Sequence, residues 1–588
     1  MNGPSQTPEP SAIVPSPSLR LPRQVAFALR VAIRTSSFRG YRKELGTRLR
    51  QDVRIPALLL LAAALALADA SVVTLAPPPI IDELDATVQG AAAVLGSYTL
   101  VLAVALPVAA HLRARSRTLG AGGAALFAAA SLGCAVAGSL GVLIAMRCLQ
   151  AAGAGALLVA AFALLDAGTR GRRAWNAAAI FGFAAGPALG GALTQAFDWR
   201  AIFAVQVPVG VAAAVAAWRS RELTVLRDDR APWQAGPAIA LALLSAALVG
   251  VLFLLVLLLV TGWSVTPLTA AVAVSILPVA ALGASRIPGP ARVRAAAGSL
   301  LVGGGVLMLA SVPNASEWWI VLPQALAGAG MGMALPALAG DLLPERTPGQ
   351  SARLLSMRHA GITMALFLLA PVAATRIDDA VASGREQGTA LVLDARLPPL
   401  DKLQLAGALV GDLDPVDPRG QLDNALENAR TGIDGEHEAA YDTLARRADE
   451  TLVAGVDGAF APALAICGVL ALLAAVALLP WDRRVLAAAA AALALAGAAW
   501  LVKPLAAPDP VRIADPCRPR ALPHTGGLDG ALQDAALTAL DRAACRYGSS
   551  REELALALVD TRARRDYERR YGVDPRAIGG LLRAVLGL

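Results

Sequence analysis

Apolar residues run through stretches of roughly 20 positions separated by short polar clusters, and a stretch of that length crosses a bilayer as a helix. Thirteen spans are expected, at about 56–76, 88–110, 119–138, 140–165, 174–197, 201–218, 235–260, 266–285, 295–312, 317–341, 358–375, 457–480 and 485–502. Two stretches break the pattern. Residues 376–456 are polar and acid-rich, cannot span, and are expected to form a small, mainly helical outer domain or hairpin. Residues 503–588 are polar with helical periodicity. Residues 1–18, rich in Pro and Ser, read as disordered. The fold class expected is an all-α polytopic membrane protein.

Charge orients the spans. Arg113, Arg115 and Arg117 follow span 2, GTRGRR follows span 4, RSRELTVLRDDR follows span 6 and RIPGPARVR follows span 8. Basic loops stay on the cytoplasmic side. The basic segment 1–54 is therefore inside, and its stretch from Val25 to Ile33 is either a surface-lying amphipathic helix or a plain basic flank. The domain plan is a basic segment 1–54, a six-helix half 55–218, a central cytoplasmic loop 219–234 and spans 7–11 over 235–375. An outer insert 376–456, span 12 at 457–480, span 13 at 485–502 and an outer tail 503–588 complete it. The net charge of +8 thus reflects loop arginines on a bilayer and does not point to nucleic acid. The hydrophobic share of 56% exceeds the roughly 45–50% of soluble domains. No nucleotide loop, catalytic triad or His/Cys metal spacing is visible, so neither an enzyme nor a cofactor is expected.

Candidate chemistry is sparse. Asp69 in span 1 and Arg147 in span 4 are ionisable residues inside apolar runs. Such residues are costly in a membrane and mark function by default. Asp69 reads as a proton site or as a structural hydrogen-bonding residue, and Arg147 as its modulator or as an anchor between spans 1 and 4. Gln150 lies three residues after Arg147 and shares its helix face. Gln324 and Met331 in span 10, with Met333, are substrate-cavity candidates in an otherwise apolar second half. Gly182, Gly186 and Gly190 recur every fourth residue in span 5, with Pro187 and Gly191 beside them. Small residues in that register let membrane helices approach closely.

The string from Gly182 to Gly191, the following Trp199-Arg200-Ala201-Ile202-Phe203 and Pro208-Val209-Gly210 together resemble a signature of the major facilitator superfamily. The likeness is greatest to its drug:proton antiporter branch, where the glycine-proline element is the antiporter motif. Asp69 with the β-branched run after it, and Arg147-Cys148-Leu149-Gln150, resemble that branch's first- and fourth-span motifs. Ala76-Pro77-Pro78-Pro79 replaces the usual ending of the first, and Ala151 replaces a glycine of the second. The resemblance covers about 54–375 and 457–480. It implies two six-helix halves around a central cavity and one added C-terminal span. It further implies proton coupling through Asp69 and Arg147. Tyr98 and Gln206 match positions where the family has Tyr and Asn, and join the cavity candidates. The loop from Ala110 to Arg117 lacks the glycine and the acid that the family carries there.

The resemblance implies export of a hydrophobic or cationic small molecule in exchange for protons, by a chain expected to be monomeric in the cell (inner) membrane. The alternative is a transporter-derived sensor or scaffold whose outer parts bind a ligand or an envelope partner. Cys517 and Cys545 are the cysteines outside the spans. If span 13 carries the tail outside, they are expected to form a disulfide; otherwise they are two thiols. The tail is expected to hold three helices, the first with Leu528, Leu532, Ala536, Leu537 and Leu540 on one side.

Overall fold

The computed structural model describes residues 56–69, 71–112, 115–165, 186–220, 234–342, 347–399, 401–402, 405, 418–433, 435–523 and 525–576. Segment 1–54, most of the central loop, Gly182 and the first part of span 5 lie outside them. Every regular element among the described residues is helical. Eleven of these helices are long and apolar enough to cross a membrane. The shorter helix Pro56–Asp69 and the helical residues 186–196 occupy the places of spans 1 and 5.

Helix starts follow local chemistry. Thr87, Ser139, Thr266 and Thr347 each accept a hydrogen bond from an otherwise unpaired N–H of the first turn, opening spans 2 (Val88–His111), 4 (Leu140–Leu164), 8 (from Pro267) and 11 (from Pro348). The three prolines after Ala76 do not end span 1 in coil. They open a hook helix, Pro77–Glu83, because proline costs nothing in a first turn whose N–H groups are free.

Glycines set the helix spacing, and they do so twice. Spans 3 (Ser116–Ala135) and 4 meet where Gly123 and Gly153 face each other's backbone; a Cβ on Gly153 would lie 2.5 Å from Phe127 N. Spans 9 (Ala291–Leu309) and 10 (Trp318–Asp341) meet likewise through Gly298 and Gly330, with a Cβ on Gly330 2.3 Å from Gly298 O. Span 9 then offers three successive glycines to three neighbours. Gly303 faces Leu472 of span 12, Gly304 faces Ala492 of span 13 (Arg483–Ala506), and Gly305 faces Pro323 and Ala327 of span 10. Successive helix positions point in different directions, so one GGG run admits three close approaches. Span 13 otherwise shows Leu486, Leu493, Trp500, Leu501 and Leu505 on its surface, a face suited to lipid.

The insert is helical, as expected, and it is built on the spans themselves. Span 11 does not stop at 375; its helix continues to Asp394. Span 12 starts early, as the helix Glu438–Val476. The polar composition past residue 375 changes the solvent, not the backbone, because no proline intervenes in either extension. At 1.5 Å per residue each extension reaches about 28 Å beyond the expected limit. The two extensions form a stalk. A lateral helix, Pro418–Arg430, leans on it through Leu422 and Leu426, packed with Leu391, Val392, Leu397, Tyr441 and Leu444.

The tail folds as Gly527–Tyr547, Arg551–Val559 and Thr561–Tyr571, with Cys517 and Cys545 joined in a disulfide. Ser550 and Glu553 form a reciprocal capping box. Leu537 is buried, but Leu528 and Leu532 are exposed, so the first turns of that helix do not share the tail's core as expected. Arg551, fully buried, pairs with Asp394 of the stalk at 2.6 Å and with Glu552 at 2.9 Å. Val511 packs into the stalk's apolar cluster. Stalk and tail therefore sit at the same end of the bundle, which requires span 13 to run its full length.

Candidate functional site: a closed polar ring in the first half

Asp69 and Arg147 meet. Arg147 Nη2 lies 2.6 Å from Asp69 Oδ2, and both side chains are 0% exposed. Burying two charges is costly unless the pair is close and its remaining polar atoms are occupied. Here they are. Arg147 Nη1 donates to Gln150 Oε1 at 2.6 Å, and Arg147 Nε to the Val94 carbonyl at 3.2 Å. Gln150 Nε2 donates to Gln206 Oε1 at 2.6 Å, and Gln206 Nε2 donates to Asp69 Oδ1 at 3.0 Å. The ring Asp69–Arg147–Gln150–Gln206 closes on itself, drawing on spans 1, 4 and 6 (Ala201–Arg219). Span 3 braces it through Ser131, which accepts from Gln150 at 2.8 Å. The Tyr98 ring lies under the guanidinium at 4.2 Å, and its hydroxyl donates to the Ala66 carbonyl of span 1 at 2.9 Å.

Tyr98, Gln150 and Gln206, expected to line a cavity, instead spend their polar groups on this ring or its support. All three are buried with these groups engaged by protein partners. Gln324 and Met331 are also buried, in span 10 of the other half. Sequence reasoning missed Ser131 and the Val94 carbonyl. A lone serine in an apolar run carries no signal of its own, and a backbone acceptor carries none at all.

The glycine face of span 5 lies against the stretch that follows Asp69. A Cβ on Gly186 would sit 2.1 Å from Ser71 Oγ, and one on Gly190 2.3 Å from the Val72 carbonyl. Pro187 and Gly191 are buried beside them. Any side chain larger than hydrogen at 186 or 190 would push span 1 away. Beyond it, the hook helix is tied down by Glu83, which accepts from Trp199 Nε1 at 2.6 Å and from Arg200 Nη1 at 2.6 and 2.7 Å. These bonds hold the Glu83 carboxyl below its ordinary range, the Trp199 bond contributing most and Arg200 next. The two halves meet along spans 2 and 11, where Thr99 and Thr363 share a hydrogen bond of 2.8 Å and Phe367 packs over Gly96.

Residues 58–374 match the family model of the Major Facilitator Superfamily. The chain belongs to that superfamily. This facilitator is 32% identical over 225 residues to the methylenomycin A resistance protein of Streptomyces coelicolor, covering 36% of this chain and 46% of that one. It is 32% identical over 209 residues to a multidrug resistance protein B homolog of Mycobacterium tuberculosis, covering 34% and 38%. Over 171 residues it is 32% identical to the tetracenomycin C resistance and export protein of Streptomyces glaucescens, covering 28% and 31%. The matched stretch thus spans less than half the length of each of these relatives. Among solved structures, a bacterial homolog of the human lysosomal transporter Spinster, inward-facing and occupied, aligns over 74% of this chain and 99% of its own at TM-score 0.51 and 14% identity. The facilitator is a multi-pass membrane transporter with drug-resistance efflux proteins among its relatives.

Proposed function

We propose that the protein exports a hydrophobic, cationic small molecule across the cell membrane in exchange for protons, with Asp69 as the proton site. The closed ring is the observation that carries this reading. Arginine keeps its charge even when buried, so Asp69 is the member that can change charge. Protonation of Asp69 leaves Arg147 without a counter-ion and weakens the tie between spans 1 and 4. A cationic substrate competes for the same carboxylate, so proton and substrate cannot both hold it. Gly186 and Gly190 keep span 1 close enough to feel that change. The N-terminus is then cytoplasmic, and stalk and tail face the outside. The relatives named for resistance and export are consistent with this direction.

The stalk–tail assembly supports a second reading, a sensor or scaffold that binds an envelope partner, because transport alone does not require the Arg551–Asp394 pairing. Accumulation of ethidium in everted membrane vesicles separates the two. An exporter accumulates the dye when the lumen is acidified and stops when the gradient is dissipated. Equal dye content with and without the gradient favours the sensor.

A further inference from the structure

The glycines that space the two halves also align them. Gly153 faces span 3 and Gly155 faces Ala105 of span 2. In the second half Gly330 faces span 9, and Gly332 faces Ala281 of span 8. Arg147 stands six residues before Gly153, and Gln324 stands six before Gly330. On two helices packed alike, Gln324 therefore holds the place that Arg147 holds in the first half.

The surroundings differ. Arg147 has Asp69, Gln150 and the Val94 carbonyl. Gln324 is 0% exposed, and neither its Nε2 nor its Oε1 has a hydrogen-bond partner. An amide carries two donors and an acceptor, and burying it unpaired is expensive enough that proteins rarely do so without a use. The other buried polar residues of spans 7–10, among those described, are Ser245 and Ser299. Ser299 donates to the Ala295 carbonyl, whereas Ser245 Oγ is likewise unpartnered. No charged side chain is buried among the described residues of these four spans; the buried carboxylate of the second half, Asp457, lies at the start of span 12 and accepts from Trp263 Nε1 at 2.8 Å.

We propose that Gln324 is the second half's contact for the transported compound, hydrogen-bonding an uncharged polar group of amide, amine or hydroxyl type. This rests on the export reading and adds a division of labour. The first half holds the charge and the second half reads a neutral donor or acceptor, so Gln324 sets specificity and leaves proton coupling alone.

Two probes test it in vesicles carrying the full chain. Ethidium is a cation with amine donors; tetraphenylphosphonium is a cation with no hydrogen-bonding group. Gln324→Leu should raise the KM for ethidium roughly three- to tenfold, the size of one net hydrogen bond. Tetraphenylphosphonium transport should stay within twofold of wild type, and Gln324→Asn should recover part of the ethidium affinity. Equal loss for both probes, or no change for either, overturns the proposal. An arm independent of transport is Gln324→Cys, treated with a small water-soluble maleimide and read by peptide mass spectrometry. Modification at 324 supports a substrate-accessible position even if wild type moves neither dye, an outcome that would sink the export reading alone. A position left unmodified under all gradients overturns the contact.

Discussion

The two halves of this transporter are packed by the same glycine geometry and filled with opposite chemistry. In the first half every polar side chain of the buried cluster finds another, and Asp69, Arg147, Gln150 and Gln206 close a ring. In the second half Ser245, Gln324 and His359 are buried with side-chain polar atoms unpartnered, both ring nitrogens in the case of His359. A satisfied network specifies one arrangement and resists change; an unsatisfied one leaves its donors and acceptors open to water or a ligand. The difference teaches that the repeat sets where a site can lie, while a few substitutions at matched positions decide whether it holds an ion pair or awaits a partner.

Breaking the ring should have the largest effect. Arg147→Leu strands a buried carboxylate and should cost roughly 3–5 kcal/mol, read as lost yield and a lower Tm in detergent. The double variant Asp69→Leu with Arg147→Met should recover part of that stability, since an apolar pair can replace a buried ion pair, yet remain inactive in efflux. If the double variant were no more stable than Arg147→Leu, the pair would not be the element that matters.

The appendages should separate from the ring. Converting Cys517 to Ser opens a loop of sequence separation 28 and should destabilise the tail by roughly 3–4 kcal/mol. The change should appear as faster tail proteolysis, with dye efflux unchanged. A parallel loss of efflux would show that the tail is coupled to the halves. Next in size, Gly186→Leu should cost roughly 1–3 kcal/mol or more by overpacking against Ser71. The matched substitution at a glycine open to space, Gly283→Leu, should be near neutral in the same thermal assay.

The smallest effect concerns the hook. Glu83 is held below its ordinary 4.5 by Trp199 first and Arg200 second. The folded state therefore binds this proton less readily than the unfolded state. The contribution of Glu83 is fully present above about pH 4.5 and fades as pH falls through the lowered value. Glu83→Gln should lower Tm slightly at pH 7, and the gap from wild type should narrow on acidification. A gap that widened in acid would contradict the assignment.

The reach of the sequence is visible in particular residues. Asp69 and Arg147 stood out because charge in an apolar run is rare, and spacing placed Gln150 on the Arg147 face. Gln206 and Tyr98 were legible as polar positions but not as a ring member and its support, because periodicity gives a face and not a partner. The insert was legible as helical, but not the unbroken run of span 11 to Asp394, because composition marks the water boundary and says nothing about where hydrogen bonding stops. The GGG run of span 9 gave no warning that each glycine serves a different helix, since that depends on which neighbours surround it. His359 carries no spacing signal in the sequence, and only burial without a partner distinguishes it.

In the export cycle proposed above, Asp69 exchanges a proton for substrate within the ring. This exchange is tested most directly by adding tetraphenylphosphonium to the purified, weakly buffered protein and recording proton release. Wild type should release protons in proportion to the tetraphenylphosphonium bound. Asp69→Asn should release none. Proton release from Asp69→Asn equal to wild type would contradict the account.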